Sequence, residues 1–116
     1  MNFSNDRPIY IQLLEQLQVL IISGNINIGE RLPSVRDLAL KYKINPNTVQ
    51  KALQELETIG LIYTERTNGK FVTSDKKIIE KYKESFAKEK ANNYFKSMNE
   101  LGFSKQEAIN YLKGDK

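Results

Sequence analysis

The chain contains no cysteine and no histidine. The first absence removes disulfides, zinc–thiolate sites and cysteine nucleophiles together. The second leaves Asp, Glu, Lys, Ser, Thr and Tyr as the reactive inventory, a poor set for general acid–base chemistry near neutral pH. No Gly-rich phosphate loop, metal-ligand spacing or nucleophile motif appears. The chain is therefore expected not to be an enzyme, to need no cofactor and to hold no metal; a metal effector would have oxygen ligands alone. The longest strongly apolar run, YIQLLEQLQVLII, is too short and too often interrupted to cross a bilayer, and no signal-peptide pattern opens the sequence. A soluble cytoplasmic protein with no membrane partner is expected.

At 116 residues and 40% hydrophobic content, the chain is long enough for one domain with a modest core, or a small domain plus an appendage. A net charge of +4 favours a polyanionic partner. The excess is uneven: residues 1–74 carry eight basic side chains against seven acidic ones, and residues 75–116 carry ten against seven. Any nucleic-acid surface in the first part must arise from local placement. Such placement exists, because no acid occurs from Leu38 to Gln54, whereas Lys41, Lys43 and Lys51 do.

The periodicity predicts a first helix beginning at Pro8, which suits the first helical position, and ending at Gly24. Tyr10, Leu13, Leu14, Leu17 and Ile21 form its stripe, and Ile11, Val19 and Ile22 make it greasier than one core face requires. Residues 25–34 read as a connection. Ser34 reads as an N-cap, with Asp37 placed to complete a capping box, and a short second helix would bury Val35, Leu38, Ala39 and Tyr42. Asn45-Pro46 reads as the next N-cap and first helical position. The third helix buries Val49, Ala52, Leu53 and Leu56 and closes at Gly60. Two short apolar segments follow, separated by Thr67-Asn68-Gly69, a hairpin signal. Helix, turn, helix and hairpin describe a winged helix-turn-helix, so the fold class is α+β, mainly helical.

From Asp75 the pattern is helical to the end. Ile78, Ile79, Tyr82, Phe86, Ala91, Tyr94, Phe95, Met98 and Leu101 recur at helical spacing, Gly102 breaks the run, and Ser104 with Glu107 opens a final short helix. Two domains are expected: a winged helix-turn-helix over 1–74 and a two-helix appendage over 75–116. An appendage this rich in aromatics cannot bury its apolar face alone, so packing between molecules is expected, as a homodimer through the C-terminal helices and the first helix.

With its aliphatic residues turned inward, the third helix presents Asn47, Thr48, Gln50, Lys51 and Gln54 outward over its first turns. Asn and Gln offer a donor beside an acceptor, matching the adenine edge in the major groove. Thr48 suits a phosphate oxygen or a thymine methyl, and Lys51 a phosphate. The free N–H groups and dipole at that helix end favour an anion. For Asn45, capping is favoured over base contact. Arg36 opposes the dipole of the second helix, so a phosphate or guanine contact explains it better than local stability. Arg66 and Lys70 flank the hairpin tip, where phosphates or the minor groove are in reach. The rival reading is a winged-helix module that docks onto protein and assembles a complex without sequence-specific DNA binding; it would require exposed apolar side chains on the third helix. In a further reading the chain senses a ligand and DNA binding is secondary.

The segment RLPSVRDLALKYKINPNTVQKALQELETIGLIYTERTNGKFV resembles the DNA-binding domain of the GntR family of bacterial transcription regulators. Its LPS-x-R-x-LA, NTVQKAL-x-x-L and GLI…FV elements fall in that family's order and spacing. PIYIQLLEQL and NPNTVQ are similar to the YtrA subfamily, whose effector domain is a short helical pair. The resemblance implies a dimeric repressor of an inverted-repeat operator, often for a transporter operon, with double-stranded DNA as partner and an effector that is unknown. Arg36 and Thr48 match family contact positions. Pro46 and Gln50 stand where many members carry arginine, and Arg66-Thr67-Asn68-Gly69 replaces the family's Arg-Gly-x-Gly wing. The candidate DNA-binding set is Ser34, Arg36, Asn45, Asn47, Thr48, Gln50, Lys51, Arg66, Gly69 and Lys70.

Overall fold

The structure, a computed structural model, describes residues 3–114. Its elements are α1 (Ile9–Ile22), α2 (Val35–Tyr42), α3 (Pro46–Thr58), β1 (Ile62–Glu65), β2 (Gly69–Val72), α4 (Lys76–Glu100) and α5 (Lys105–Lys113). They divide into two compact units, one running through Lys81 and the other starting at Tyr82.

In the first unit α1 packs on α3, and α2 and β1 pack on α3 from other sides. Leu13, Leu17 and Ile21 of α1 meet the apolar row of α3, where Val49, Ala52, Leu53 and Leu56 are all completely buried. Leu38 and Ala39 of α2, together with Leu61, Ile62 and Val72, close the core. Burying a side chain of this size is worth about 1.5–3 kcal/mol, so α3 is held mainly by this row and only secondarily by its propensity. Ile22, off the expected stripe of α1, is buried too, whereas Val19 remains 42% exposed.

The entry to α1 differs from the sequence expectation. Pro8 lies one residue before α1 with an extended backbone (ψ 140°), and its carbonyl accepts from the amides of Ile11 and Gln12. Gln12, polar and unremarked in the sequence, is buried. Its Nε2 donates to the carbonyls of Ser4 and Arg7, both at 2.8 Å, and its Oε1 accepts from the Ser4 amide at 2.8 Å. One amide group thus satisfies three backbone groups of the N-terminal arm. The same arm sets Phe3 edge-on to Tyr42 of α2, with centroids 6.3 Å apart.

The hairpin is antiparallel, pairing Ile62 with Val72, Tyr63 with Phe71, Thr64 with Lys70 and Glu65 with Gly69. Its loop is the three residues Arg66–Asn68, so Asn68-Gly69 does not form the centre of a two-residue turn. Gly69 adopts φ +101°, a backbone conformation that favours glycine, and a Cβ on it would lie 3.1 Å from Arg31 Nε and displace that side chain. The connection before α2 is also more ordered than its sequence indicates. Gly29 and Leu32 donate to the carbonyls of Val72 and Lys70, Val72 donates back to Glu30, and Arg31 bridges Phe71. This pairing covers the outer edge of β2, which would otherwise offer unpaired backbone groups to another chain.

Gly60 closes α3 with φ +85°, and a Cβ there would touch Ile78 Cδ1 at 3.5 Å. Ile79 is buried as well, which is why the first compact unit extends into α4.

In the second unit, α5 begins with a complete capping box. Glu107 donates its amide to Ser104 Oγ at 3.1 Å and accepts from the Ser104 amide at 3.0 Å. The bond from the Ser104 backbone and that with its side chain hold the Glu107 carboxyl below the usual carboxylate range. Tyr94 donates to the Ala108 carbonyl at 2.7 Å, and Phe103 meets Tyr111 edge-on at 5.2 Å. Among the described residues of this unit only Ala108 is fully buried, while Leu101 and Leu112 are 72% and 67% exposed.

Replacing Gln12 by Leu retains the helix but strips partners from three backbone groups. Urea unfolding should show a loss of about 1–3 kcal/mol, while the exposed neighbour Gln16→Leu should stay within about 0.5 kcal/mol of the parent.

Candidate nucleic-acid interface

The turn between α2 and α3 is Lys43–Asn45. Lys43 caps α2 in the left-handed region (φ 56°, ψ 49°), its amide donating to the Ala39 carbonyl, and the Ile44 amide returns to the same carbonyl at 3.1 Å. Lysine in that conformation costs about 1–2 kcal/mol, and the tight turn that results brings Asn45 directly to the start of α3. Asn45 Oδ1 accepts from the Asn47 amide at 2.7 Å and its carbonyl from the Thr48 amide at 2.9 Å. Since Pro46 has no N–H, the opening donors of α3 are already engaged. An anion at this end would meet the helix dipole and side chains, not the free amides expected from the sequence. Ser34 is likewise a cap, its Oγ accepting from the Asp37 amide at 3.1 Å.

Beyond the caps, Asn47, Gln50, Lys51 and Gln54 are exposed and Thr48 is half-buried, all on the side of α3 opposite its buried row. Apart from Pro46, α3 exposes no aliphatic side chain larger than a methyl group, so it lacks the apolar surface that protein docking would use. Two open grooves flank it. One, between α3 and the hairpin, is lined by Gln50, Gln54, Glu57, Thr58, Thr64 and Lys70. The other, beside the turn, is lined by Val35, Arg36, Ala39, Leu40, Ile44 and Pro46. The structure thus brings Gln50 and Lys70 to one groove and Arg36 to the other.

The basic side chains differ in how free they are. Lys51 Nζ sits 3.8 Å from the centroid of the Tyr10 ring, a cation–π contact that ties the outer face of α3 to α1. Arg66 is exposed in the hairpin loop. Lys70 is engaged: its Nζ lies 3.1 Å from Glu57 Oε1 and 2.8 Å from Thr64 Oγ1. The Arg31 guanidinium lies against Gly69, which adds an exposed cation to the hairpin that the sequence reading did not single out. No local signal marks Arg31, since its position follows from pairing with β2.

Comparison with known proteins places this geometry in context. The family model described as bacterial regulatory proteins, gntR family, matches residues 9–72. The uncharacterized HTH-type transcriptional regulator YhcF of Bacillus subtilis (strain 168) is 33% identical over 111 residues, spanning 96% of this chain and 92% of that protein. The HTH-type transcriptional repressor YtrA of the same organism is 44% identical over 70 residues, 60% of this chain and 54% of that protein. Among solved structures, a GntR family transcriptional regulator from Listeria monocytogenes superposes with a TM-score of 0.88 at 38% identity, covering 98% of this chain and all of that one. The AraR DNA-binding domain in complex with an operator gives a TM-score of 0.57 at 26% identity, over 63% of this chain and 88% of that chain.

Because Asn45 is bonded as a cap, Asn45→Ala should lower stability by about 0.5–2 kcal/mol. Asn45→Asp and Asn45→Ser, which keep an acceptor, should retain most of it. Thermal or urea unfolding of the three variants provides the check.

Proposed function

The chain belongs to the GntR family of bacterial regulatory proteins, and on that footing we propose that it is a homodimeric, YtrA-like repressor that binds an inverted-repeat operator in double-stranded DNA. The observation that carries this reading is the outer face of α3, acid-free from Pro46 to Gln54 and rich in amides, on a winged helix-turn-helix whose relatives are named as transcription regulators. In this reading α3 enters the major groove, Asn47 and Gln50 read base edges, Thr48 meets a thymine methyl or a phosphate, and Lys51 meets a phosphate. Ser34 and Arg36 at the start of α2 and Arg66 on the hairpin position the backbone. No helix among the described residues is long and apolar enough to cross a membrane, and action on DNA puts the protein in the cytoplasm. The likeness of PIYIQLLEQL and NPNTVQ to the YtrA subfamily supports a transporter operon as the regulated unit, and the genes flanking this one test that.

In this reading residues 1–74 form the DNA-binding domain and 75–116 the dimerisation and effector segment. Leu101, Leu112 and Tyr111 are exposed, which leaves apolar side chains of the C-terminal segment available to a second copy. A two-fold dimer buries the same patch from each copy and matches a palindromic site. Linking two reading heads raises operator affinity through effective concentration.

Two outcomes are expected. Selection from random duplexes should return a palindrome, and Asn47→Ala or Gln50→Ala should relax its preferred bases at a cost of about 1–3 kcal/mol; no enriched palindrome would defeat the reading. The full chain should sediment as a dimer at micromolar concentration. Leu101→Glu combined with Leu112→Glu should yield a monomer with operator affinity at least about tenfold weaker, and a double variant that stayed dimeric would move the interface elsewhere.

A further inference from the structure

Strand alternation puts Thr64 and Lys70, a cross-strand pair, on the same hairpin face as buried Ile62 and Val72, because side chains two residues apart share a face. That face looks onto α3. There Thr64 Oγ1 donates to Glu57 Oε1 at 2.6 Å, and Lys70 Nζ donates to both, closing a three-membered polar ring between the last turns of α3 and the hairpin. The Lys70 side chain is only 21% exposed and that of Glu57 43%. Glu57 has no local reason to be where it is: an acid in the last turn of a helix opposes the dipole. The Thr64 hydroxyl, and after it the Lys70 ammonium, holds its carboxyl below the usual carboxylate range, so it is ionised at neutral pH. A charge in the groove that Gln50 and Gln54 also line would repel phosphate unless it were neutralised from within.

We propose that Glu57 is a positioning residue for operator recognition: through Thr64 and Lys70 it clamps the hairpin to α3 and fixes where Arg66 meets DNA, and Lys70 serves this clamp instead of a phosphate. The inference rests on the DNA-binding reading above but adds an assignment that reading does not contain. It also revises the sequence expectation for Lys70, whose charge is spent inside the protein.

The test uses the full chain and the variants Glu57→Gln, Lys70→Met, Thr64→Val and the Glu57→Gln/Lys70→Met pair. In the free protein, amide exchange across the hairpin should quicken roughly two- to fivefold in each variant, with the pair no faster than the worse single change. On DNA, the affinity ratio of operator to scrambled duplex should fall in Glu57→Gln and Lys70→Met alike. Meanwhile the slope of log affinity against log salt should stay that of the parent in Lys70→Met, whereas Arg66→Ala should flatten it by about 0.9. A slope flattened by about 0.9 in Lys70→Met would make Lys70 a phosphate contact and overturn the proposal, as would unchanged exchange in Glu57→Gln. A parent chain that does not distinguish operator from scrambled duplex would sink the DNA-binding reading instead, leaving the exchange measurement to judge the clamp.

Discussion

The packing of α1 against α3 is the constraint on which the rest of the first unit depends. Leu13 and Leu17 on one helix and Val49, Ala52, Leu53 and Leu56 on the other are buried to 1% exposure or less. Once those four α3 positions are turned inward, helical geometry leaves no freedom in which residues face out. The amides of Asn47, Gln50 and Gln54 are therefore displayed by the core and not by any interaction of their own. A helix with one sealed aliphatic face and one donor-rich face is suited to reading polar edges. It offers no apolar surface for gripping another protein.

Around that packing, polar contacts set orientation where burial cannot. Gln12 ties the N-terminal arm to α1, Lys51 rests on the Tyr10 ring, and Glu57 meets the hairpin through Thr64 and Lys70. Each is individually modest, as expected for partly exposed pairs. Each nevertheless joins elements that the aliphatic core alone would allow to shift. The left-handed Lys43 and Gly69 do the same through the backbone, one tightening the turn before α3 and the other the hairpin loop. The conformational cost of the left-handed Lys43 is offset by a core that over-determines the surrounding geometry.

The second unit is built differently. Among its described residues one is fully buried, Ala108, and the unit is organised by the Ser104–Glu107 box and the Tyr94 hydroxyl. Its Leu101 and Leu112 stay exposed, so this unit is held by polar caps and ring contacts more than by a sealed aliphatic core.

The sequence by itself determined those features that depend on neighbours along the chain. The Val49–Leu56 spacing, the caps at Ser34, Asn45 and Ser104, the break at Gly102 and the hairpin signal at Asn68-Gly69 are all local. Together with the motif order they made the winged helix-turn-helix, and the outward face of α3, readable before any coordinates. Tertiary structure alone decided the rest: the burial of Gln12, the pairing of residues 29–32 with β2, the placement of Arg31 against Gly69, and the commitments of Lys51 and Lys70. The physical reason is common to them. A surface lysine or glutamine carries no periodic signal of its own, and whether it faces solvent, a ring or a carboxylate depends on which distant segment is brought beside it. Propensity and patterning set which elements form; which polar side chains remain free for a partner is settled only when those elements pack.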